Sequence, residues 1–524
     1  MSRASTLIGA GSLLRHNLRR DRVLVPVGIA VLVSVTYASA AATPALYHSV
    51  TDQMKAAAAI NDQPAIVALY GPILDIRSIG ELAMTKMTVL YAMVATVLFV
   101  VIVRRHTRVE EESGRAELLG ATAVGRDAPL AAAVIEAAGF SLLLGVLTTL
   151  AALAGGLPGR GSAWFGLVWA LTALVGTGVG AVASQISASA RTCGAIAAAT
   201  IGALYVVRAV GDASSSAHWL SWLSPFGWNT QLRAWSSPRG WVALLYAALI
   251  AGLMITAQAL RARRDLGSGM VAARPGPARA GRLLAGPLGL CVRMNQTGLI
   301  LWSLALVGAG VLFGAMTPGL TSMIGDGTAQ DMIDRLGGSL IAAILMVLSL
   351  LVTVFAIGVI THVAVDESDG RVEEVLATAV SRRSWYSASL GVAVLGSAWL
   401  VVLTGAGLWL GYGLAGGSSP STTFAAALGW LPAVWLIAMV AALAVAIGPR
   451  FSSAAWVVFG ACATVTFVGQ LLKMPRWALK VSPYSDVPQY PATSWAWTPL
   501  IVLTAVAGFV GAAAWVRYRS RDIG

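Results

Sequence analysis

Glu111-Glu112-Ser113-Gly114-Arg115-Ala116-Glu117-Leu118-Leu119 returns 256 positions later as Glu367-Ser368-Asp369-Gly370-Arg371-Val372-Glu373-Glu374-Val375. Each copy runs on through Ala-Thr-Ala-Val to an arginine, Arg126 and Arg382, so the register holds without a gap. The match extends outward. Ser224-Pro225-Phe226 aligns with Ser482-Pro483-Tyr484, and Arg264-Asp265-Leu266-Gly267 with Arg521-Asp522-Ile523-Gly524. Towards the N-terminus, Arg15-x-Asn17 aligns with Arg293-x-Asn295 at an offset of 278, which leaves 22 extra residues in the first half. That surplus falls mainly in the segment 45–81, where an Ala-rich stretch, Met54 to Ile60, is expected to form a short outer helix. The chain reads as a duplicated unit.

The surroundings of the repeat are those of a membrane protein. Of 524 residues, 57% are hydrophobic and 11% charged, against about 45–50% and about 25% in soluble domains. With 56 Gly and 18 Trp, the composition suits closely packed membrane helices with interfacial aromatic anchors. Apolar stretches near the length of ~20 residues that crosses a hydrocarbon core occur at 24–44, 82–103, 130–154, 163–184, 193–211, 241–260, 298–316, 339–361, 388–414, 424–447, 453–472 and 498–516. The expected fold is therefore an all-α integral membrane protein of twelve transmembrane helices in two six-helix repeats, residues 1–267 and 298–524, joined by a linker over 268–297. An even number of spans per half makes the copies parallel, with a pseudo-twofold axis along the membrane normal and a central pathway between them expected. Arg15, Arg19, Arg20 and Arg22 precede the first span, which lacks a short apolar core and cleavage site and is read as an uncleaved helix.

Charge sets the orientation. Placing the N-terminus in the cytoplasm puts 25 of the 36 basic residues on that side, for a net +11 there and +2 outside, the bias that retention of basic residues produces. Both termini are then cytoplasmic. The basic stretch from Arg261 to Arg293 is a topology determinant and anionic-lipid contact rather than a nucleic-acid site. Lys55, Lys86, Lys473 and Lys480 are the four lysines, and none precedes Ser or Thr. No phosphate-binding loop exists in the chain, which excludes ATP hydrolysis by it. Cys193, Cys291 and Cys462 are far apart in apolar runs, so neither a disulfide framework nor a cysteine metal site is expected, and no metal or catalytic residue is assigned.

The repeated loops, 104–129 and 362–387, are long enough to hold helices of their own. In each, an acidic cluster (Glu110, Glu111, Glu112; Asp366, Glu367, Asp369) precedes Gly-Arg and a short amphipathic segment. Acidic residues at a helix start and a base at its end suit the helix dipole. Leu118–Leu119 and Val375–Leu376 supply an apolar face. Such a segment, present twice, suits docking on a twofold partner; a solvated connector is the alternative.

These residues resemble the membrane subunits of ABC-2-type exporters, in particular actinobacterial permeases grouped with polyketide-antibiotic and tetronasin exporters. The resemblance rests on E-E-x-x-G-R-x-E-L-L with its following arginine, on Leu223-Ser224-Pro225-Phe226-Gly227-Trp228, and on the R-R-D-L-G closing the first half. It implies that 104–129 and 362–387 are coupling loops contacting an ATPase through Glu111, Glu112, Gly114, Arg115, Glu117, Leu118, Leu119, Arg126, Asp366, Glu367, Gly370, Arg371, Glu373, Val375, Leu376 and Arg382. It implies connecting helices over 4–22 and 279–297. It also implies two copies of a separate ATPase carrying ATP and Mg, with no cofactor on this chain, and hydrophobic or amphipathic drug-like substrates. The second half departs from the pattern, since Ser485-Asp486 replaces Gly-Trp.

Pro225, Phe226, Trp228, Pro483 and Tyr484 fall on the expected outer side, where a broken or re-entrant helix would mark the exit, a proline turn with a Trp belt being the alternative. Glu136, Arg208, Lys86 and His362 lie near span ends, as snorkelling groups or as proton or substrate sites. Met87, Tyr91, Phe99, Tyr205, Phe355, Phe459 and Phe467 are candidates for a greasy substrate pathway, with core packing the alternative. The expected function is an exporter's membrane subunit in a bacterial plasma membrane. An ion-coupled secondary transporter is the competing class, and a membrane enzyme or scaffold is disfavoured because the outer loops carry only scattered Asp.

Overall fold

The computed structural model describes residues 6–214, 216–265, 267–271, 281, 284, 286–323, 340–415, 420–471, 476–490 and 493–521, apart from the side chains of 119–120, 318–323, 340, 420–422, 467–471, 476 and 478. The described chain is helical, without a strand, and forms two compact units, Met1–Pro275 and Gly276–Gly524.

The first unit runs α1 (Ala10–Arg20), α2 (Leu24–Leu46), α3 (Val50–Asn61), α4 (Pro64–Tyr70), α5 (Ile79–Lys86), a π-helical turn (Met87–Tyr91), α6 (Ala92–His106), α7 (Arg108–Glu112), α8 (Arg115–Gly120), α9 (Ala128–Ala154), α10 (Gly159–Ile186), α11 (Ala190–Ala213), a 3₁₀ turn (His218–Leu223), α12 (Pro225–Gln231) and α13 (Val242–Ala262). The second runs α14 (Pro287–Met323), α15 (Leu340–Ser368), α16 (Arg371–Leu376), α17 (Arg382–Leu414), α18 (Pro420–Leu428), α19 (Leu431–Ile447), a 3₁₀ turn (Pro449–Phe451), α20 (Ser452–Leu471), α21 (Arg476–Leu479), a 3₁₀ turn (Pro483–Ser485) and α22 (Trp497–Ser520). Among the described residues, eleven helical stretches are long and apolar enough to cross a membrane. The helix α20 lies where the remaining span is expected and is not among the eleven.

In the first unit, α10 is the most enclosed span and packs against α6, α9 and α13 around the buried Phe99, Phe165 and Trp169. In the second, α19 packs against α15 and α22, and the Tyr386 and Tyr518 rings stack at 4.0 Å. The abundance of small residues has a packing cause: a Cβ on Gly411 of α17 would lie 2.0 Å from the Val311 carbonyl of α14. Close backbone approach of this kind is how membrane helices gain van der Waals contact without a hydrophobic driving force between them.

The two units differ at their starts. In the first, the amphipathic α1 is separated from the span α2 at Asp21-Arg22-Val23. In the second, α14 continues through the register-equivalent Leu299-Ile300-Leu301, so from Pro287 the expected separate helix at 279–297 is the opening of the span itself. Residues 279, 280, 282, 283 and 285 of that expected helix lie outside the described residues. The physical reason is Asp21. Its buried carboxylate faces Arg105 and His106 of α6, which halts the helix where three apolar residues let α14 run on.

Candidate functional site

Both repeated loops fold as a tight turn into a short helix. Gly114 and Gly370 adopt φ of +74° and +72°, and a methyl group added at either would meet nothing within 4 Å. The left-handed backbone, rather than lack of space, therefore calls for glycine. The short helices α8 and α16 follow at once, with Glu117, and with Glu373 and Glu374, in their first turns where the dipole favours a negative charge.

The other carboxylates are placed differently from the sequence expectation. Glu110, Glu111 and Glu112 lie in the short α7, and Asp366 and Glu367 in the last turn of α15, where the peptide dipoles oppose an anion and burial adds to the cost. Arginines offset that cost. Glu111 is buried and takes a two-point ion pair from Arg264, both contacts at 2.7 Å, with Arg108 3.1 Å away. In the second unit Glu367 pairs with Arg521 and accepts a 2.6 Å hydrogen bond from the Tyr518 hydroxyl. Arg126 donates to the carbonyls of Arg261 and Arg264 at 3.1 and 2.8 Å, and Arg382 donates to the carbonyl of Arg521 at 3.0 Å. These carbonyls close the last helix of each unit, where the chain leaves acceptors unpaired. Each loop is thus stapled at two points to the C-terminal end of its own unit's last span.

The remaining loop residues divide into inward and outward sets. Glu112 accepts from the Ala190 backbone N–H at 2.8 Å, capping α11. Arg115 is exposed and reaches Glu110 at 3.5 Å, and Glu110 also pairs with Arg20 of α1. Arg371 is held by Asp366 and Asp369 at 2.8 and 2.7 Å, and the hydrogen bond it donates to Asp366 foremost raises its pKa above its ordinary value. Ala116 and Val372, which correspond in register, face inward. Leu118 is 75% exposed, Glu373 is exposed, and Val375 and Leu376 are half-buried against the second unit's core. The side chain of Leu119 lies outside the described residues. Beside the first loop, a cavity of about 360 Å³ opens between α1 and the loop, bordered by Leu13, His16, Arg20, Glu110 and Val124.

Arg108, Arg264 and Arg521 were not singled out as site residues by their sequence alone. Arg108 is fully buried and donates to the carbonyls of Ser184 and Ser268. The repeated Arg-Asp-(Leu/Ile)-Gly was the available signal for the other two.

None of the candidate pathway residues with described side chains lines the three cavities described among these residues. Met87 and Tyr91 bound the π-helical turn, whose Thr88 carbonyl accepts from Asn229. Phe99 and Phe355 are core residues, Tyr205 donates to the Leu69 carbonyl, and Phe459 packs edge-on against Trp456. The side chain of Phe467 lies outside the described residues. The large apolar cavity of the second unit, about 890 Å³, is lined instead by Leu431, Trp435, Tyr490, Trp495, Trp497 and Ile501. That volume is within the range of small-molecule sites.

The exit candidates are packed and hydrogen-bonded within their own units. Pro225 opens α12 behind a Ser224 cap, Phe226 is buried, and Trp228 donates to the Trp222 carbonyl at 2.7 Å. Pro483 opens a 3₁₀ turn in which the Tyr484 hydroxyl meets Thr353 at 2.5 Å. Arg208 is fully buried, paired with Asp212 at 3.0 Å and bonded to the Ala68 carbonyl at 2.7 Å, so it closes the end of α4. Lys86 lies 5.8 Å from the Tyr70 ring centre, His362 is half-buried, and Glu136 is buried 3.6 Å from His106.

Comparison with known proteins shows the family. One family model, "Multidrug efflux system permease Rv1217c, C-terminal domain", matches the chain over residues 29–263 and again over 284–519. The chain is also 36% identical over 534 aligned positions to the multidrug efflux system permease protein Rv1217c of Mycobacterium tuberculosis (strain ATCC 25618 / H37Rv), covering 99% of this chain and 96% of the relative. With most of its length matched by the model and nearly all of it aligned to that relative, the chain belongs to the Rv1217c-like family of multidrug efflux permeases.

Proposed function

We propose that the chain is the membrane-spanning subunit of an ATP-driven, ABC-2-type exporter of hydrophobic or amphipathic drug-like compounds. It has twelve spans in two parallel repeats, lies in a bacterial plasma membrane with both termini and the 261–297 linker in the cytoplasm, and works with two copies of a separate ATPase that bind ATP and Mg.

The observation that supports this reading is the double staple. A loop that only connected two helices would need no buried Glu–Arg pair. Here Glu111–Arg264 and Glu367–Arg521 tie both loops to the last spans of their units. Force applied to the exposed outer side of either loop is then carried into a membrane helix, as coupling to an ATPase requires. The relative's description as a multidrug efflux permease supports the direction and the substrate class, and the aromatic cavity of the second unit is where we place a hydrophobic substrate.

The test is transport in inverted membrane vesicles carrying the chain with and without its ATPase, read with a fluorescent hydrophobic amine. Uptake that requires ATP and the ATPase and survives a protonophore is expected. Uptake that persists without the ATPase and collapses with the protonophore would make the chain an ion-coupled secondary transporter.

A further inference from the structure

Two carboxylates and an imidazole meet where α1, α6 and α9 converge. Asp21 sits in the break after α1, His106 ends α6, and Glu136 lies in the third turn of α9. Their exposures are 0%, 4% and 2%. His106 Nε2 is 2.8 Å from Asp21 Oδ2 and 3.6 Å from Glu136 Oε2, and one donor atom from each residue lies within 4.8 Å of the other two. Arg105 reaches Asp21 Oδ1 at 3.1 Å and is the cation paired with the group among the described residues. Neither oxygen of Glu136 completes a hydrogen bond of good geometry among those residues, the buried Asn17 amide being the neighbouring donor. Two buried carboxylates facing one arginine leave a negative charge that burial makes expensive unless a cation or proton joins them.

We propose that Asp21, His106 and Glu136 bind a divalent transition-metal ion of the zinc class, with water at the fourth position. Bonds of about 2.0–2.2 Å at tetrahedral angles set ligand atoms about 3.3–3.6 Å apart; the 3.6 Å His106–Glu136 separation meets that spacing, and the 2.8 Å hydrogen bond between His106 and Asp21 would open by about half an ångström to admit the ion. The mixed nitrogen and oxygen set suits zinc, manganese or iron, whereas calcium and magnesium take oxygen ligands. The site belongs to the first unit alone. The register-equivalent residues of the second are Leu299, His362 and Val392, so the imidazole is kept and both carboxylates are lost. An ion held there fastens the α1–α2 junction to the entrance of the first loop and to α9.

The experiment uses the full chain in detergent, stripped with a chelator, loaded with Zn²⁺ or Co²⁺ and desalted. About one ion per chain is expected, with the intense visible absorption of four-coordinate Co²⁺. Asp21→Asn with Glu136→Gln should weaken binding at least tenfold at an unchanged gel-filtration profile, while His362→Ala should leave it unaltered. Wild-type protein that retains no stoichiometric ion, or shows only the weak spectrum of six-coordinate cobalt, overturns the proposal whatever the variants do. So does a double carboxamide variant that binds as the wild type does, and a proton shared within the cluster would then account for its burial.

Discussion

Glu111 and Arg264 stand 153 positions apart and meet through two parallel 2.7 Å contacts, whereas Glu367 and Arg521, 154 positions apart, pair through one contact while a second Arg521 nitrogen donates to the Val445 carbonyl. The same two loops send Arg126 and Arg382 to the carbonyls that end the last helix of each unit. In the first unit Glu111, Arg108, Arg126 and Arg264, and in the second Glu367, Arg382 and Arg521, are thereby committed to holding the loop.

Removing the arginine of the buried pair should be costly. Arg264→Ala leaves Glu111 facing Arg108 alone, and breaking a buried pair costs about 3–5 kcal/mol. The expected result is a lower unfolding temperature in detergent, followed by intrinsic Trp fluorescence. Arg264→Lys should recover little of the loss because an ammonium cannot make the two-point contact. Arg521→Ala should cost less than Arg264→Ala, since Arg521 is 12% exposed against 3% for Arg264.

Leu118 offers the cleanest probe of the outer surface of the first loop. It is exposed, so Leu118→Asp should leave stability unchanged and reduce ATPase retention on affinity purification. The Leu119 and Leu376 substitutions that the sequence suggests are less informative. Leu376 packs partly on the core, and an aspartate there would disturb folding as well as docking.

The two turn glycines should tolerate no side chain for conformational reasons. Alanine at a left-handed position costs roughly 1–2 kcal/mol, and the free space around Gly114 and Gly370 rules out a steric contribution. Gly114→Ala and Gly370→Ala should each raise amide hydrogen exchange in the adjoining short helix without changing exchange in the spans.

The all-helical fold and its many membrane-spanning helices were legible because apolar stretches of span length are a local pattern, whereas the left-handed turns at Gly114 and Gly370 came only from the structure. The pairing of the acidic cluster was not legible. Glu111 meets Arg264 across the length of four spans, and nothing in the loop itself distinguishes its buried Glu111 from the exposed Glu112 beside it. The Asp21, His106 and Glu136 group escaped for the same reason, since its residues come from the break after α1 and from two distant helices, with no ligand spacing between them. The aromatic cavity escaped because Trp435, Tyr490 and Trp495 read equally well as interfacial anchors until tertiary packing brings them together.

That cavity carries its own expectation. Trp495 and Trp435 line it from different elements, and truncating either removes a large apolar wall. Trp495→Ala and Trp435→Ala should each weaken binding of a hydrophobic fluorescent substrate several-fold in detergent, while Trp456→Ala, outside the cavity, should not.

The central claim is that one chain carries both attachment points for an ATPase pair. Native mass measurement of the complex purified through this chain tests it most directly. The account predicts one copy of this 54.0 kDa chain with two copies of a nucleotide-binding polypeptide, and loss of those copies at unchanged membrane content when both loops carry charge reversals on their exposed sides. A functional complex containing two copies of this chain, or a chain that exports substrate with no ATPase bound, would contradict it.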